Sequence, residues 1–146
     1  MSTLTVAYDG AMPDQNHQSI RDTIWIAAPV PRVFLALTSG QELQQWWPKQ
    51  AQTEPRLGGA IELHWFAPSS QRMLSRFAIF EANVQLGYAF YSQHLHFRLG
   101  EQAAGTKLEI DHACEAAEAL HVAQSWGFLK ANLKAWMEHG IDLRVR

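Results

Sequence analysis

The residues best suited to chemistry are histidines and carboxylates on two segments with alternating polar and apolar side chains, His94–Leu99 and Thr106–Ala113. Suppose that these segments form a hairpin through a loop at 100–105. If Leu99 then lies opposite Thr106, apolar residues face one another across the hairpin. This register pairs polar residues on the other side, His94 with Asp111 and His96 with Glu109. Zinc sites usually have three or four converging ligands. We therefore predict a solvated face with weak ion pairs and no metal site.

His112 falls on the apolar side of its segment and could carry a proton, since an imidazole titrates near neutral pH. The alternative, which we favour, is a hydrogen-bonded histidine at the edge of the core. Glu81 is a second candidate acid or base, whereas no Cys-His-Asn arrangement marks Cys114 as a nucleophile. The chain also has no short nucleophile, metalloprotease, phosphate-loop or dinucleotide motif. We predict no catalytic residue and no cofactor.

Aromatic residues are frequent, with six Trp, seven Phe and three Tyr. They could fill the core or line an apolar pocket with a few polar tips. The adjacent Trp46 and Trp47 should point in different directions, one into the core and the other toward a cavity entrance or a partner surface. The candidate cavity residues are Trp46, Trp47, Trp65, Phe77, Tyr88, Phe90, Phe97, His112, Trp126 and Leu129.

The first structural elements form a strand followed by two short helices. Residues Ser19–Ala28 are rich in Ile, Thr and Trp, which is typical of a strand. Pro31 suits the first turn of a helix. Ser39 and Glu42 fit a capping box, which predicts a second helix from about Gly40 to Pro48.

The rest of the chain is a series of strands and one long helix. Alternation and turn residues predict strands at Ala60–Phe66, Arg72–Ala82, Tyr88–Ser92, His94–Leu99 and Thr106–Ala113. Apolar residues then recur every three or four positions over Ala117–His139, which predicts an amphipathic helix. Gly140 fits its left-handed cap.

Composition favours one folded domain. The chain has 146 residues, 47% hydrophobic and 18% charged, with a net charge of −2 and one cysteine. We expect a flexible arm at 1–18 and a single domain at 19–146. The absence of a basic cluster, a signal peptide and a long apolar run argues against nucleic-acid and membrane partners and favours a cytoplasmic location.

The order of these features resembles the START-like, or Bet v 1-like (SRPBCC), superfamily, and within it the AHSA1-like family named after the C-terminal domain of the activator of Hsp90 ATPase. The residues that carry the resemblance are Ala28-Pro29 with 33–38, Leu43, Trp46, Gly58-Gly59, Gly105-Thr106, Trp126, Leu129, Leu133 and 138–144. The resemblance implies an α+β helix-grip fold, in which a curved antiparallel sheet wraps around a long C-terminal helix. It implies no single activity, since members include lipid carriers, cyclases and co-chaperone domains.

Three functions remain open on the sequence. The first is a non-catalytic binding module whose apolar cavity, between the sheet and the C-terminal helix, takes a small hydrophobic or amphipathic ligand. The second is a protein-interaction domain like the Hsp90 co-chaperone relatives, with an apolar patch near Trp47. The third is a cavity enzyme of the cyclase or hydrolase type that uses His112 or Glu81. A homodimer through the aromatic surface is compatible with each.

Overall fold

A seven-stranded antiparallel sheet packs against a long C-terminal helix in the computed structural model, which describes residues 17–68 and 71–144. The order of strands in the sheet is β1-β7-β6-β5-β4-β3-β2. The strands are β1 (His17–Ile26), β2 (Gln50–Thr53), β3 (Ala60–His64), β4 (Arg72–Glu81), β5 (Gln85–Phe90), β6 (Gln93–Gln102) and β7 (Gly105–Glu115). The helices are α1 (Val30–Thr38), α2 (Gly40–Leu43) and α3 (Ala119–His139), the last preceded by a short 3₁₀ turn, Ala116–Glu118. The predicted helix-grip fold is confirmed.

Strand β1 lies at one edge of the sheet and pairs only with β7, from His17 opposite Glu115 to Ile26 opposite Thr106. It begins two residues earlier than the sequence pattern predicts. Residues 1–16 of the predicted arm lie outside the described residues, so the arm stays a prediction. The other edge is β2, a four-residue strand that the sequence pattern missed.

The register predicted for the β6–β7 hairpin is wrong by two residues. Both strands extend further than predicted, and a two-residue turn, Ala103-Ala104, joins them with φ angles of 50° and 62°. As a result, His96 lies opposite Asp111 and His94 lies opposite Ala113. Because side chains alternate along a strand, an even shift leaves each residue on its predicted face. The apolar side of the hairpin is therefore still the buried side.

The corner between α1 and α2 is closed by a threonine and not by the predicted capping box. Ser39 is the N-cap residue of α2, but its side chain makes no capping hydrogen bond. Instead, the amide of Gly40 donates to Thr53 Oγ1 at 2.9 Å, and that hydroxyl donates to the Thr38 carbonyl at 2.6 Å. Helix α2 ends at Leu43, so Trp46 and Trp47 lie in the following turn.

Helix α3 buries one face against the sheet, as its spacing predicts. Val122, Trp126 and Leu133 are buried. Polar side chains of α3 also bind the edge strand, where Lys134 Nζ donates to the Trp25 carbonyl at 2.6 Å. The helix ends at Gly140, whose φ of 66° is the predicted left-handed cap. Among the described residues, no helix is long and apolar enough to cross a membrane.

Candidate ligand-binding site

A cavity of about 630 Å³ lies between the first half of α3 and the end of the sheet where β3, β5 and β7 finish. Antiparallel pairing brings the β5–β6 turn and the ends of β3 and β7 to this side, and the turn after α2 closes it. The lining residues are Trp47, Trp65, Gln71, Phe90, Tyr91, Gln93, His112, Glu118, His121, Val122, Ser125, Trp126 and Leu129.

One tryptophan organises the aromatic wall. The ring of Trp47 stacks on Phe90 at a centroid distance of 5.5 Å and an angle of 21°, and contacts Trp126 at 5.4 Å and Trp65 at 5.7 Å. These distances are typical of favourable aromatic pairs. Each ring comes from a different element, so the wall forms only when the domain is folded.

The cavity rim includes a strained tyrosine. Tyr91 occupies the β5–β6 turn with a φ of 58°, in a region that a bulky residue rarely adopts. Its hydroxyl accepts a hydrogen bond from Trp65 Nε1 at 2.6 Å, and its ring contacts Phe90. The turn therefore holds an aromatic side chain against the wall.

The last residues of the described chain hold the segment that carries Trp47. The guanidinium of Arg144 donates to the carbonyls of Trp47 at 2.5 Å and Gln44 at 2.9 Å, and it pairs with Asp142 at 2.9 Å. Asn132, fully buried on α3, donates to the carbonyl of the residue before Trp47 at 2.8 Å. The C-terminal segment thus fixes one wall of the cavity from behind.

His112 is a neutral residue within the cavity wall. Its side chain is 4% exposed, and Nδ1 accepts a hydrogen bond from Trp126 Nε1 at 2.8 Å. Because an indole N–H can only donate, the proton of the neutral imidazole lies on Nε2, which is 2.6 Å from Gln93 Oε1. Desolvation lowers the pKa of His112 to about 4. The predicted hydrogen-bonded histidine at the core edge matches this geometry.

Charge at the cavity is confined to its rim. Glu118 and His121 are exposed residues beside the N-terminus of α3. Among the described lining residues there is no Lys or Arg, and Glu118 is the one carboxylate. Apart from His121 at the rim, the described part of the wall therefore offers no cationic side chain that would offset a buried anionic group.

Six of the ten candidate cavity residues line the cavity: Trp47, Trp65, Phe90, His112, Trp126 and Leu129. The other four, Trp46, Phe77, Tyr88 and Phe97, are fully buried in the core and do not line it. The Tyr88 hydroxyl has no hydrogen-bond partner within the described residues, and burial raises its pKa. The prediction that Trp46 and Trp47 point in different directions is wrong, because their rings stack at a centroid distance of 5.6 Å and an angle of 26° and both are buried; only Trp47 also lines the cavity. Ligand contact by any of these residues stays a prediction.

Several lining residues were missed by the sequence argument. Tyr91 belongs to the β5–β6 turn and Gln93 is the first residue of β6, whereas Glu118, His121 and Ser125 lie on the first turns of α3 or just before it. The spacing of His121 and Ser125 to Trp126 and Leu129 on one helix could have indicated a shared face. Nothing in the local sequence marks Gln93.

The other candidate groups lie elsewhere. His96 Nε2 is 2.8 Å from Gln85 Oε1, and desolvation lowers the pKa of His96. Gln85 in turn donates to Glu81, an exposed residue at the end of β4 that is not among the lining residues. No group of three or more His, Cys, Asp or Glu side chains within residues 17–68 and 71–144 is arranged to hold a metal ion.

Comparison with known proteins agrees with the fold. The family described as "Activator of Hsp90 ATPase homolog 1-like protein" matches residues 27–139. Protein SSP2350 from Staphylococcus saprophyticus has a TM-score of 0.77 at 16% identity, over 88% of this chain and 98% of its own. CalU16 from Micromonospora echinospora has a TM-score of 0.72 at 21% identity, over 90% and 81%. The Aha1 dimer from Colwellia psychrerythraea has a TM-score of 0.73 at 19% identity, over 84% and 98%. No curated protein matches the chain in sequence.

Proposed function

Because the chain belongs to the family described as Activator of Hsp90 ATPase homolog 1-like protein, we propose that it is a non-catalytic module that binds a small hydrophobic or amphipathic molecule in the cavity beside α3. The observation that carries the proposal is the cavity itself. Its volume, about 630 Å³, lies within the range of small-molecule sites, and its wall combines stacked aromatic rings with a few polar groups.

The charge of the lining narrows the class of ligand. A buried anion needs a paired cation or several donors, because desolvation of a charge is costly. Glu118 is the charged group at the rim that the ligand would meet. We therefore expect an uncharged or cationic ligand to bind more tightly than a fatty acid or another carboxylate.

The chemistry of His112 favours binding over catalysis. A general base works best with a pKa near the working pH and needs a free lone pair directed at the substrate. The pKa of His112 is about 4, and both of its nitrogens are engaged, by Trp126 and Gln93. The hypothesis of a cyclase- or hydrolase-like enzyme therefore loses its main candidate residue.

The hypothesis of a protein-interaction domain has less support, because it placed an exposed apolar patch at Trp47, which is 8% exposed. A homodimer remains a separate proposal, since one similar structure is described as an Aha1 dimer. The cytoplasmic location stays a prediction from the sequence.

Native mass spectrometry of gently purified protein, followed by organic extraction, is the first test. We expect an adduct of a few hundred daltons that is released by solvent, together with a spectrum that shows whether the chain is a monomer or a dimer. A protein that carries no adduct and fails to take up Nile red would contradict the proposal.

The substitution Trp65→Ala tests the location of the site. The side chain of Trp65 lines the cavity and contacts Trp47 and Phe90, so we expect Nile red to bind about tenfold more weakly. Trp25→Ala is the matched control, because Trp25 lies on the edge strand, outside the lining, and its indole donates to the Gln102 carbonyl. Affinities are compared where urea titrations show each variant fully folded. Equal affinity in the wild type and Trp65→Ala would remove Trp65 from the site.

A further inference from the structure

A chain of three side chains in the cavity wall has a fixed direction of hydrogen bonding. Trp126 Nε1 can only donate, so His112 Nδ1 must accept at 2.8 Å. The imidazole proton is then on Nε2, and the group it faces at 2.6 Å must be the carbonyl oxygen of Gln93 and not its NH₂. The Trp126 indole therefore sets the orientation of the Gln93 amide, through His112.

The consequence is an unused donor. With its oxygen held by His112, the Gln93 amide turns its NH₂ group away from the imidazole, and no hydrogen bond from that NH₂ is present within residues 17–68 and 71–144. Gln93 is half-buried and lines the cavity. An amide donor at such a position is satisfied by water until a ligand atom replaces the water.

The indole N–H groups of the wall also indicate that the cavity has unused hydrogen-bond donors. The N–H groups of Trp65 and Trp126 are already bound, by Tyr91 and His112. The N–H of Trp47 has no hydrogen bond in the described part of the chain. The hydrogen-bonding capacity that Gln93 and Trp47 leave unused is therefore of the donor type.

We propose that Gln93, oriented by Trp126 through His112, is the specificity-determining donor of this cavity, and that the ligand is a flat aromatic molecule bearing an uncharged acceptor oxygen such as a ketone carbonyl. This inference rests on the proposed binding function. The half-buried rings of Trp65 and Phe90 offer an aromatic surface to a planar group, and the Gln93 NH₂ binds its oxygen. A positively charged donor, which would attract carboxylates equally well, is not part of the described wall.

The test uses two probes of equal size that differ only in the carbonyl, 2-acetylnaphthalene and 2-isopropylnaphthalene. Equilibrium dialysis gives a Kd for each probe with the wild type, Gln93→Met and Gln93→Glu. The Met variant removes the donor without adding charge. The Glu variant keeps an acceptor for His112 while removing both donor hydrogens. Gln71→Met is the matched control, because Gln71 also lines the cavity but lies outside the chain of hydrogen bonds.

The inference is tested by the ratio of the two Kd values, which is compared between each variant and the wild type. Loss of one hydrogen bond should shift this ratio against the ketone by about fivefold in both Gln93 variants, while the hydrocarbon binds as before. A merely structural role of Gln93 would weaken both probes together and leave the ratio unchanged, which overturns the inference but leaves the binding function standing. A shift in Gln71→Met equal to that in the Gln93 variants also overturns it. If neither probe binds a wild type that does bind Nile red, the inference is overturned and the binding function stands; if Nile red also fails to bind and no adduct is found, the proposed function fails with it.

Discussion

Acidification should destabilise the domain through His112, and the substitution His112→Gln should remove that contribution. In the folded protein the imidazole is buried and neutral, with a pKa of about 4, against an ordinary value of 6.5. In the unfolded chain it takes up a proton as the pH falls below about 6.5. Because the unfolded state then binds more protons, the free energy of unfolding decreases as the pH falls from 6.5 toward 4 and is unaffected by His112 above that window.

The size of the effect follows from the two pKa values. Linkage gives a loss of about 1 kcal/mol at pH 5.5 and about 2 to 3 kcal/mol at pH 4.5, relative to pH 7.5. The hydrogen bonds explain why the native site resists protonation. A proton on Nδ1 would face the N–H of Trp126, so both atoms would be donors and the 2.8 Å contact could not persist.

Urea unfolding at pH 7.5, 5.5 and 4.5, followed by far-UV circular dichroism, measures this effect in the wild type and His112→Gln. A glutamine can accept from Trp126 with its oxygen and donate to Gln93 with its NH₂, so it reproduces both contacts without titrating. Other titrating groups, including His94 and His96, whose pKa values desolvation also lowers, are common to both proteins and cancel in the difference. The wild type should lose the extra 2 to 3 kcal/mol, about the figure linkage gives. Parallel losses in the two proteins would refute the assignment of His112 as a buried neutral residue.

Two further substitutions have predictable effects on the urea unfolding curve. Gly127→Ala should stabilise the protein by about 0.5–1 kcal/mol, because Gly127 lies in α3 and a Cβ there would meet no atom within 4 Å; a destabilised variant would indicate that the glycine permits a kink. Asn132→Leu should destabilise it by about 3 kcal/mol, since the buried amide donates to the Trp46 carbonyl and to Asp142 and accepts from the Leu143 amide; a loss below about 1 kcal/mol would show that water replaces these contacts.

The sequence predicts the elements of this fold well where a residue's environment depends on its immediate neighbours. Alternation in β3, β6 and β7 assigns each side chain to the correct face. The three- and four-residue spacing in α3 identifies its buried apolar residues but not the buried Asn132. The left-handed cap at Gly140 could also be predicted from the local sequence, because it needs only a glycine with a positive φ at the end of the helix.

Failures occur where the deciding contact is remote or carries no local signature. The β6–β7 turn uses Ala103-Ala104 at positive φ, where glycine or asparagine would normally mark a two-residue turn, so the hairpin register could not be read. Strand β2 has the sequence QAQT, which shows little apolar alternation. The cap of α2 comes from Thr53, thirteen residues after the amide it binds.

Which residues line the cavity is the hardest feature to predict. A residue on the buried face of the sheet lines the cavity or belongs to the core according to its distance from α3. Tyr88 and Phe90 lie on one strand and share a face, yet Tyr88 is in the core and Phe90 lines the cavity. The difference is position along the strand, which only the packed helix defines.

The contacts that build the cavity wall are also contacts that stabilise the fold, and this limits how the site can change. Trp126 is at once a buried core residue of α3, part of the wall, and the donor that sets the tautomer of His112 and, through it, the Gln93 amide. Replacing Trp126 would alter stability and ligand preference together. Gln93 ends the chain of hydrogen bonds at the cavity, and its NH₂ stabilises no other described group. Ligand preference can therefore change at Gln93 with little cost to folding when the replacement keeps an acceptor for His112, and this is the position where relatives with the same fold could diverge in what they bind.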